Sequence, residues 1–172
     1  MTIKDLNNYL FEIKRRDNPN FPEHALVPVK HSDKTANGLE KAIVAFLQAE
    51  GWQAERIKNT GRYVDESYTY VNVMGQTRKA GTGRYIKGTG TNGSSDLSAT
   101  IKGRAVKVEI KIGKDRQSEV QKKYQADIER AGGVYVIAKD FETWHGWYAK
   151  FIAGWFYLHQ SMICITFVAK CV

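Results

Sequence analysis

Residues 95–112 read SDLSATIKGRAVKVEIKI, and the architecture that we predict for the chain follows from this pattern. Polar and apolar residues alternate on both sides of Lys102-Gly103. Alternation with a period of two around a two-residue turn is typical of a β-hairpin. A two-residue loop also fixes the register, because Ile101 must then pair with Arg104. The sequence therefore predicts two antiparallel strands with a defined pairing.

Two acidic residues come opposite each other in this register. Counting outward from the turn, Asp96 faces Glu109, and the Cβ atoms of such partners lie roughly 4.5–5.5 Å apart. Like charges in this position destabilise a hairpin, and a bound Mg²⁺ with its preference for oxygen ligands would relieve the repulsion. Lys111 shares the face of Glu109 and is within reach of a bound phosphate or an attacking water. The pattern indicates a phosphodiesterase site, with a solvated polar face as the alternative.

Four short motifs surround the hairpin. In chain order they are Gly93-Ser94-Ser95-Asp96-Leu97, Glu109-Ile110-Lys111, Ser118-Glu119-Val120-Gln121 and Ala131-Gly132-Gly133-Val134. They resemble the motifs of the VRR-NUC branch of the PD-(D/E)XK nuclease superfamily, over about residues 37–139. That branch usually has a proline after the serine of the third motif, where this chain has Glu119.

The resemblance implies an α/β fold with a restriction-endonuclease-like core. Its elements would follow the order α-β-β-β-α-β and form a mixed central sheet flanked by helices. It also implies a Mg²⁺- or Mn²⁺-dependent endonuclease that hydrolyses DNA phosphodiester bonds in repair, recombination or phage DNA processing. Duplex or branched (junction) DNA is the implied partner, and a symmetric homodimer is a further expectation.

The resemblance implies a set of metal ligands. They are the carboxylates of Asp96 and Glu109, the carbonyl of Ile110, and Glu40 from the first helix of the core. Glu40 has a structural alternative, since Asn37 as N-cap and Glu40 three residues later would form a capping box.

Two further side chains are implied to take part in catalysis. Lys111 would orient or help to activate the attacking water and stabilise the phosphorane. Gln121 would position water or phosphate, and its alternative is a capping box with Ser118. The predicted catalytic set is therefore Asp96, Glu109, Lys111, Gln121 and Glu40.

The charge balance favours a polyanionic partner. The chain has 26 lysine and arginine residues against 18 aspartate and glutamate residues, which gives a formal net charge of +8. Nucleic acid is the common partner of such a protein, although ribosomal and membrane-surface proteins show the same excess. The two cysteines form no CxxC or Cys/His cluster, so we expect neither a zinc site nor a disulfide scaffold, and a cytoplasmic location.

A glycine-rich basic segment precedes the hairpin. No acid occurs between Glu66 and Asp96, and six glycines lie between residues 75 and 93. We predict a mobile loop over residues 75–95 that contacts a phosphate backbone, with Tyr85 stacking on an unpaired base; a solvated flexible loop is the alternative. The predicted nucleic-acid contacts are Arg78, Lys79, Arg84 and Lys87 in this loop and Lys114, Arg116 and Lys122 after the hairpin.

We predict three parts of the chain. Residues 1–33 form an N-terminal helical appendage, residues 34–140 the nuclease-like core with the basic loop 75–95, and residues 141–172 a C-terminal helix and strand that pack on the core or at a dimer seam. No residue between 151 and 169 is formally charged. Polar residues interrupt this stretch, so we predict a final strand at its end rather than a membrane span.

Two other functions are compatible with the same fold. One is a catalytically silent module that binds nucleic acid, and the other is a toxin-like or restriction enzyme. The presence of all three of Asp96, Glu109 and Lys111 favours catalysis, because a silent site usually lacks one of them. A nuclease is therefore the function that the sequence predicts.

Overall fold

The computed structural model describes residues 1–58, 61–86, 88 and 90–168, with side chains described through residue 154. The helices are α1 (Ile3–Asp17), α2 (Ala36–Ala49), α3 (Glu119–Arg130) and α4 (Phe141–Val168), with a short 3-10 helix at Glu23–Ala25. The strands are β1 (Gln53–Arg56), β2 (Arg62–Val64), β3 (Tyr68–Val71), β4 (Thr77–Ala80), β5 (Arg84–Ile86), β6 (Leu97–Ile101), β7 (Arg104–Ile110) and β8 (Val134–Ala138).

Four strands form a mixed sheet in the order β1-β6-β7-β8. The pairs β1–β6 and β6–β7 are antiparallel, and β7–β8 is parallel. Helices α2 and α4 pack against this sheet, and α3 lies against β8. The predicted mixed α/β fold, with a mixed sheet flanked by helices, is confirmed. Along the chain the sheet and its helices follow the order α2, β1, β6, β7, α3 and β8.

The β6–β7 hairpin has the predicted register. Ile101 pairs with Arg104, and Leu97 pairs with Val108 at the other end of the ladder. Lys102 and Gly103 have φ angles of 51° and 75°. Two consecutive residues with positive φ match the right-handed twist of the flanking strands, which is why two-residue hairpin turns take this form.

One face of the hairpin belongs to the hydrophobic core. Leu6 of α1, Phe46 of α2, and Phe141 and Trp144 of α4 are all almost fully buried in the same cluster as Val108. Fully burying a side chain of this kind contributes about 1.5–3 kcal/mol. Both terminal segments that the sequence predicts as appendages thus contribute to the core. The buried apolar residues of the two strands are Leu97, Ala99, Ile101, Val106, Val108 and Ile110.

Helix α2 begins differently from the prediction. Its N-cap is Thr35, whose side chain accepts a hydrogen bond of 3.1 Å from the backbone N–H of Gly38. The predicted capping box of Asn37 and Glu40 is therefore wrong. The N-cap lies two residues before the predicted one, because the hydroxyl of Thr35 satisfies the free N–H of Gly38. Asn37 lies within the helix.

The predicted loop over residues 75–95 contains two strands and is therefore wrong as an irregular segment. Strand β4 pairs with β3, and β5 pairs with β2. Val71 comes nine positions after Arg62 on one leg, and Ile86 comes nine positions after Thr77 on the other. Because the two offsets are equal, both ladders keep one register. They are two halves of a single long hairpin, which we call the arm (residues 61–86).

The C-terminal segment also differs from the prediction. Helix α4 continues through Val168, so a final strand at Ser161–Val168 is wrong. Residues 141–168 contain no proline, and each further residue of a helix adds one backbone hydrogen bond without a new nucleation step. Within the described residues, none of the helices has the length and apolar character that crossing a bilayer requires. Lys87 and residues 169–172 lie outside the described part of the chain.

Candidate active site

Asp96 lies where β6 begins, between the strands on either side. Its backbone carbonyl accepts a hydrogen bond of 2.8 Å from the N–H of Ile57, just after β1. Its carboxylate Oδ2 accepts one of 2.8 Å from the N–H of Ile110 in β7. These two bonds hold the Asp96 carboxylate next to the strand that bears Glu109.

Glu109 is a buried acid whose carboxylate is held by three donors. Its side chain is only 1% exposed. Oε1 accepts hydrogen bonds from Nε2 of Gln121 and from Nζ of Lys111, the latter at 3.2 Å. Oε2 accepts one of 3.1 Å from the hydroxyl of Tyr135. Since a carboxylate offers about four acceptor positions, one remains for a further ligand.

The environment of Glu109 disfavours its negative charge. Burial raises the pKa of this carboxyl, and the neighbouring charge of Asp96 raises it further. The contacts with Lys111 and Tyr135 oppose the rise and do not cancel it. The two acids that the hairpin register brings together therefore repel each other, as the sequence predicts, and a cation at this point would stabilise both charges.

Lys111 connects the acid pair to the segment that follows β7. Its Nζ lies 3.2 Å from Glu109 Oε1 and 3.2 Å from Asp115 Oδ2, and its side chain is 10% exposed. Its backbone N–H donates to the carbonyl of Ala138 at 2.9 Å. Burial lowers the pKa of Lys111, but its two carboxylate partners outweigh burial and raise it overall. The ammonium group is thus a fixed positive charge beside Glu109.

Gln121 forms the capping box that the sequence offers as its structural alternative, and its side chain also contacts Glu109. Its backbone N–H donates to the Ser118 hydroxyl, and its side-chain Oε1 accepts from the Ser118 N–H at 2.9 Å, which completes a capping box. Its Nε2 meanwhile donates to Glu109. The amide therefore joins the first turn of α3 to the acid pair.

Glu40 is paired with an arginine. Its carboxylate forms an ion pair with Nη2 of Arg56, the last residue of β1. Both side chains line a cleft of about 530 Å³ that also includes Asp96. Glu109 is not among the residues that line it. The structure thus brings Glu40 to the same cleft as Asp96 and pairs it with an arginine.

The donor set can be compared with the needs of a divalent metal. Asp96, Glu109 and the carbonyl of Ile110 offer oxygen atoms only, which is the chemistry that Mg²⁺ and Mn²⁺ prefer. Mg²⁺ is often held by only one or two carboxylates with several waters, so two acids are sufficient. Within the described part of the chain, no group of three or more His, Cys, Asp or Glu residues is placed to hold a metal ion. The residues present fit a metal that keeps most of its own water.

Several of the predicted nucleic-acid contacts have protein partners. Lys79 lies 3.3 Å from Asp65, and Arg84 lies 2.8 Å from Glu66. Because the arm folds back on itself, acids that precede the basic segment in the sequence come to lie beside it. Arg78 donates to Gln76 at 2.9 Å, Lys122 pairs with Glu119, Lys114 and Arg116 are exposed between β7 and α3, and Lys87 lies outside the described residues.

Three residues at the site are absent from the predicted set. Tyr135 holds Glu109, Asp115 holds Lys111, and Arg56 holds Glu40. Tyr135 could have been found, because it is the one residue of β8 with a polar group on its side chain. Arg56 follows Ala54 on the buried side of β1, where a cation needs a partner. Asp115 gives no comparable signal.

The comparisons with known proteins add no identity. No family model matches the chain, and neither the curated proteins nor the solved structures contain a significant match to it.

Proposed function

We propose that this protein is a metal-dependent endonuclease that hydrolyses DNA phosphodiester bonds on a restriction-endonuclease-like core. The observation that carries the proposal is the buried carboxylate of Glu109, which Asp96 repels and Lys111 contacts at 3.2 Å. The two acids accept hydrogen bonds within the protein, but their mutual repulsion opposes the stability of the folded chain. The arrangement is explained if a cation binds between them during function.

Asp96, Glu109 and the carbonyl of Ile110 would hold the metal. When bound, Mg²⁺ or Mn²⁺ would neutralise charge on the scissile phosphate and acidify a bound water. Glu40 remains a predicted ligand, but it would have to leave Arg56 to take part.

The side chains around the acid pair have separate tasks in this proposal. Lys111 presents a positive charge to the phosphate and to the attacking water, and Glu109 and Asp115 keep its ammonium group in place. Tyr135 and Gln121 orient the Glu109 carboxylate by donating to different oxygens. Preorganised groups of this kind do not have to reorganise during the reaction, which is why they favour catalysis.

A second candidate is the catalytically silent module that binds nucleic acid. The observation in its favour is that Glu109 already accepts three hydrogen bonds from protein groups. A carboxylate satisfied in this way can have a structural role, because it joins β7, β8 and α3 without binding a metal. The net charge of +8 supports nucleic-acid binding under either proposal.

A cleavage assay separates the two candidates. We would incubate labelled duplex, single-stranded and four-way-junction DNA with Mg²⁺, Mn²⁺ or EDTA, using the wild type, Asp96→Asn and Lys111→Met. Lys107→Met is the matched control, because Lys107 is a lysine on the face of β7 that bears Glu109, and its Nζ contacts Ser98 instead. Metal-dependent cleavage that survives only in the wild type and the control supports the nuclease. Binding without cleavage under every metal supports the silent module.

A further inference from the structure

The arm is rooted at the candidate active site. The N–H of Ile57, where the chain leaves the central sheet, donates to the carbonyl of Asp96, where it returns. The two legs of the arm, residues 62–71 and 77–86, have ten residues each. At 3.3 Å per residue, each leg would extend over roughly 30 Å. A ligand on the arm is therefore held within about one arm length of Asp96.

One face of the outer half of the arm carries aromatic rings and a cation. Tyr68 pairs with Ala80 and Tyr70 pairs with Arg78, and cross-strand partners share a face. Tyr68 is 62% and Tyr70 is 46% exposed. Their ring centroids are 6.3 Å apart at an interplanar angle of 47°, so the two rings do not stack on each other. Their aromatic surface is available to a ligand.

The tyrosines of the inner half have a structural task. A Cβ atom at Gly83 would lie 2.2 Å from the Tyr63 ring, and one at Gly61 would lie 2.6 Å from the Tyr85 ring. Each ring thus covers a glycine across the ladder, which stabilises a two-stranded ribbon. This leaves Tyr68 and Tyr70 as the aromatic pair that the packing of the arm does not explain.

The charges of the arm favour stacking over a purely electrostatic contact with a phosphate backbone. The arm has four cations and two acids, and both acids form ion pairs with cations. Bases in a duplex are stacked on each other, whereas unpaired bases offer their faces to aromatic side chains. Arg78, beside Tyr70, is placed to contact the phosphate of a stacked nucleotide.

We propose that the arm binds a single-stranded segment of nucleic acid by stacking unpaired bases on Tyr68 and Tyr70. This inference rests on the proposed nuclease function for its biological meaning, since the arm would then select substrates with unpaired bases within one arm length of the cleaved bond. The binding itself needs neither metal nor cleavage. The two proposals can therefore fail independently.

The test is a binding measurement by fluorescence anisotropy in EDTA at one fixed salt concentration. The probes are a labelled oligo(dT) about 12 nucleotides long, an abasic strand with the same number of phosphates, and a duplex of equal length. The variants are Tyr68→Ala/Tyr70→Ala, the conservative Tyr68→Phe/Tyr70→Phe, and Thr69→Ala/Val71→Ala on the opposite face of the same strand. Circular dichroism and thermal unfolding check that each variant keeps its fold.

We expect the wild type to bind oligo(dT) more tightly than the abasic strand or the duplex. The double alanine variant should lose roughly 10-fold or more in affinity for oligo(dT) and little for the abasic strand, because only stacking is removed. The phenylalanine and opposite-face variants should bind like the wild type. Equal affinity for oligo(dT) and the abasic strand, or equal losses in both alanine variants, overturns the inference. An absence of binding to all three probes also overturns it and points to a protein partner for this face.

Discussion

Replacing Lys111 by methionine tests whether the acid pair is held by charge. Methionine keeps most of the aliphatic volume of the buried lysine and removes its ammonium group, which lies 3.2 Å from Glu109. Glu109 would then be a buried acid without a cationic neighbour. Asp115, whose side chain is 58% exposed, would stay solvated and lose little.

The size of the effect follows from the titration of Glu109. Removing one partner of a buried ion pair costs roughly 3–5 kcal/mol if the other charge must remain. Glu109 can instead take up a proton, and at pH 7 this costs at most about 3.4 kcal/mol for a carboxyl with an ordinary pKa of 4.5. Burial raises the pKa of Glu109 and so lowers that limit. We expect the free energy of unfolding to fall by about 2–3 kcal/mol at pH 7.

The sign of the pH dependence is opposite to that of an ordinary salt bridge. In the variant, folded Glu109 binds a proton more readily than unfolded Glu109, so stability is lost as the pH rises above 4.5. At pH 5 protonation costs only about 0.7 kcal/mol, and the difference between variant and wild type should shrink accordingly.

Urea unfolding at pH 5 and pH 7 measures both quantities. The double variant Lys111→Met/Glu109→Gln should recover most of the lost stability at pH 7, because it has no buried charge to neutralise. Lys107→Met should change stability by less than about 1 kcal/mol, since the Lys107 ammonium group donates to the neutral hydroxyl of Ser98 and not to a carboxylate within the described residues. A loss that is equal at both pH values, or that Glu109→Gln does not relieve, would falsify this account.

Three further predictions concern the metal, a helix cap and a half-buried histidine. Mg²⁺ or Mn²⁺ should raise the melting temperature of the wild type in scanning fluorimetry and not that of Asp96→Asn, because a ligand stabilises only the state that binds it. Thr35→Ala should cost about 1 kcal/mol in urea unfolding and Asn37→Ala much less, and equal losses would contradict the observed cap. Burial lowers the pKa of His145, so the unfolded state binds a proton at a higher pH than the folded state does. The free energy of unfolding should therefore decline as the pH falls below 6.5. If a His145→Gln variant loses stability as steeply over this pH range, another group is responsible.

The central part of the fold could be predicted because its information is local. The alternation on either side of Lys102-Gly103 determines the turn, the register and the two faces of the hairpin, and so brings Asp96 and Glu109 together. The capping box of Ser118 and Gln121 is likewise contained in four consecutive residues. These interactions join residues that are close in the sequence or related by one turn.

The parts that the prediction missed depend on distant partners. Tyr135 reaches Glu109 only because β8 pairs in parallel with β7. Arg56 and Glu40 come from different elements, and sequence reasoning therefore left Glu40 available for the metal. Strands β4 and β5 of the arm were predicted as a loop, because the glycines and cations of residues 75–95 have the composition of one. Pairing between the two legs of a long hairpin outweighs that local preference.

The hydrogen bond between Ile57 and Asp96 has a consequence for how such a protein can change. The two residues are neighbours in space, so the 38 residues between them form an insertion whose two ends lie close together. The entropic cost of closing such a loop grows only slowly with its length, so a longer or shorter insertion changes that cost little. Mutations can therefore change the length or sequence of the arm while the sheet and its acid pair stay in place. Under the proposed function, substrate choice and bond hydrolysis would then be separable traits, each open to independent selection.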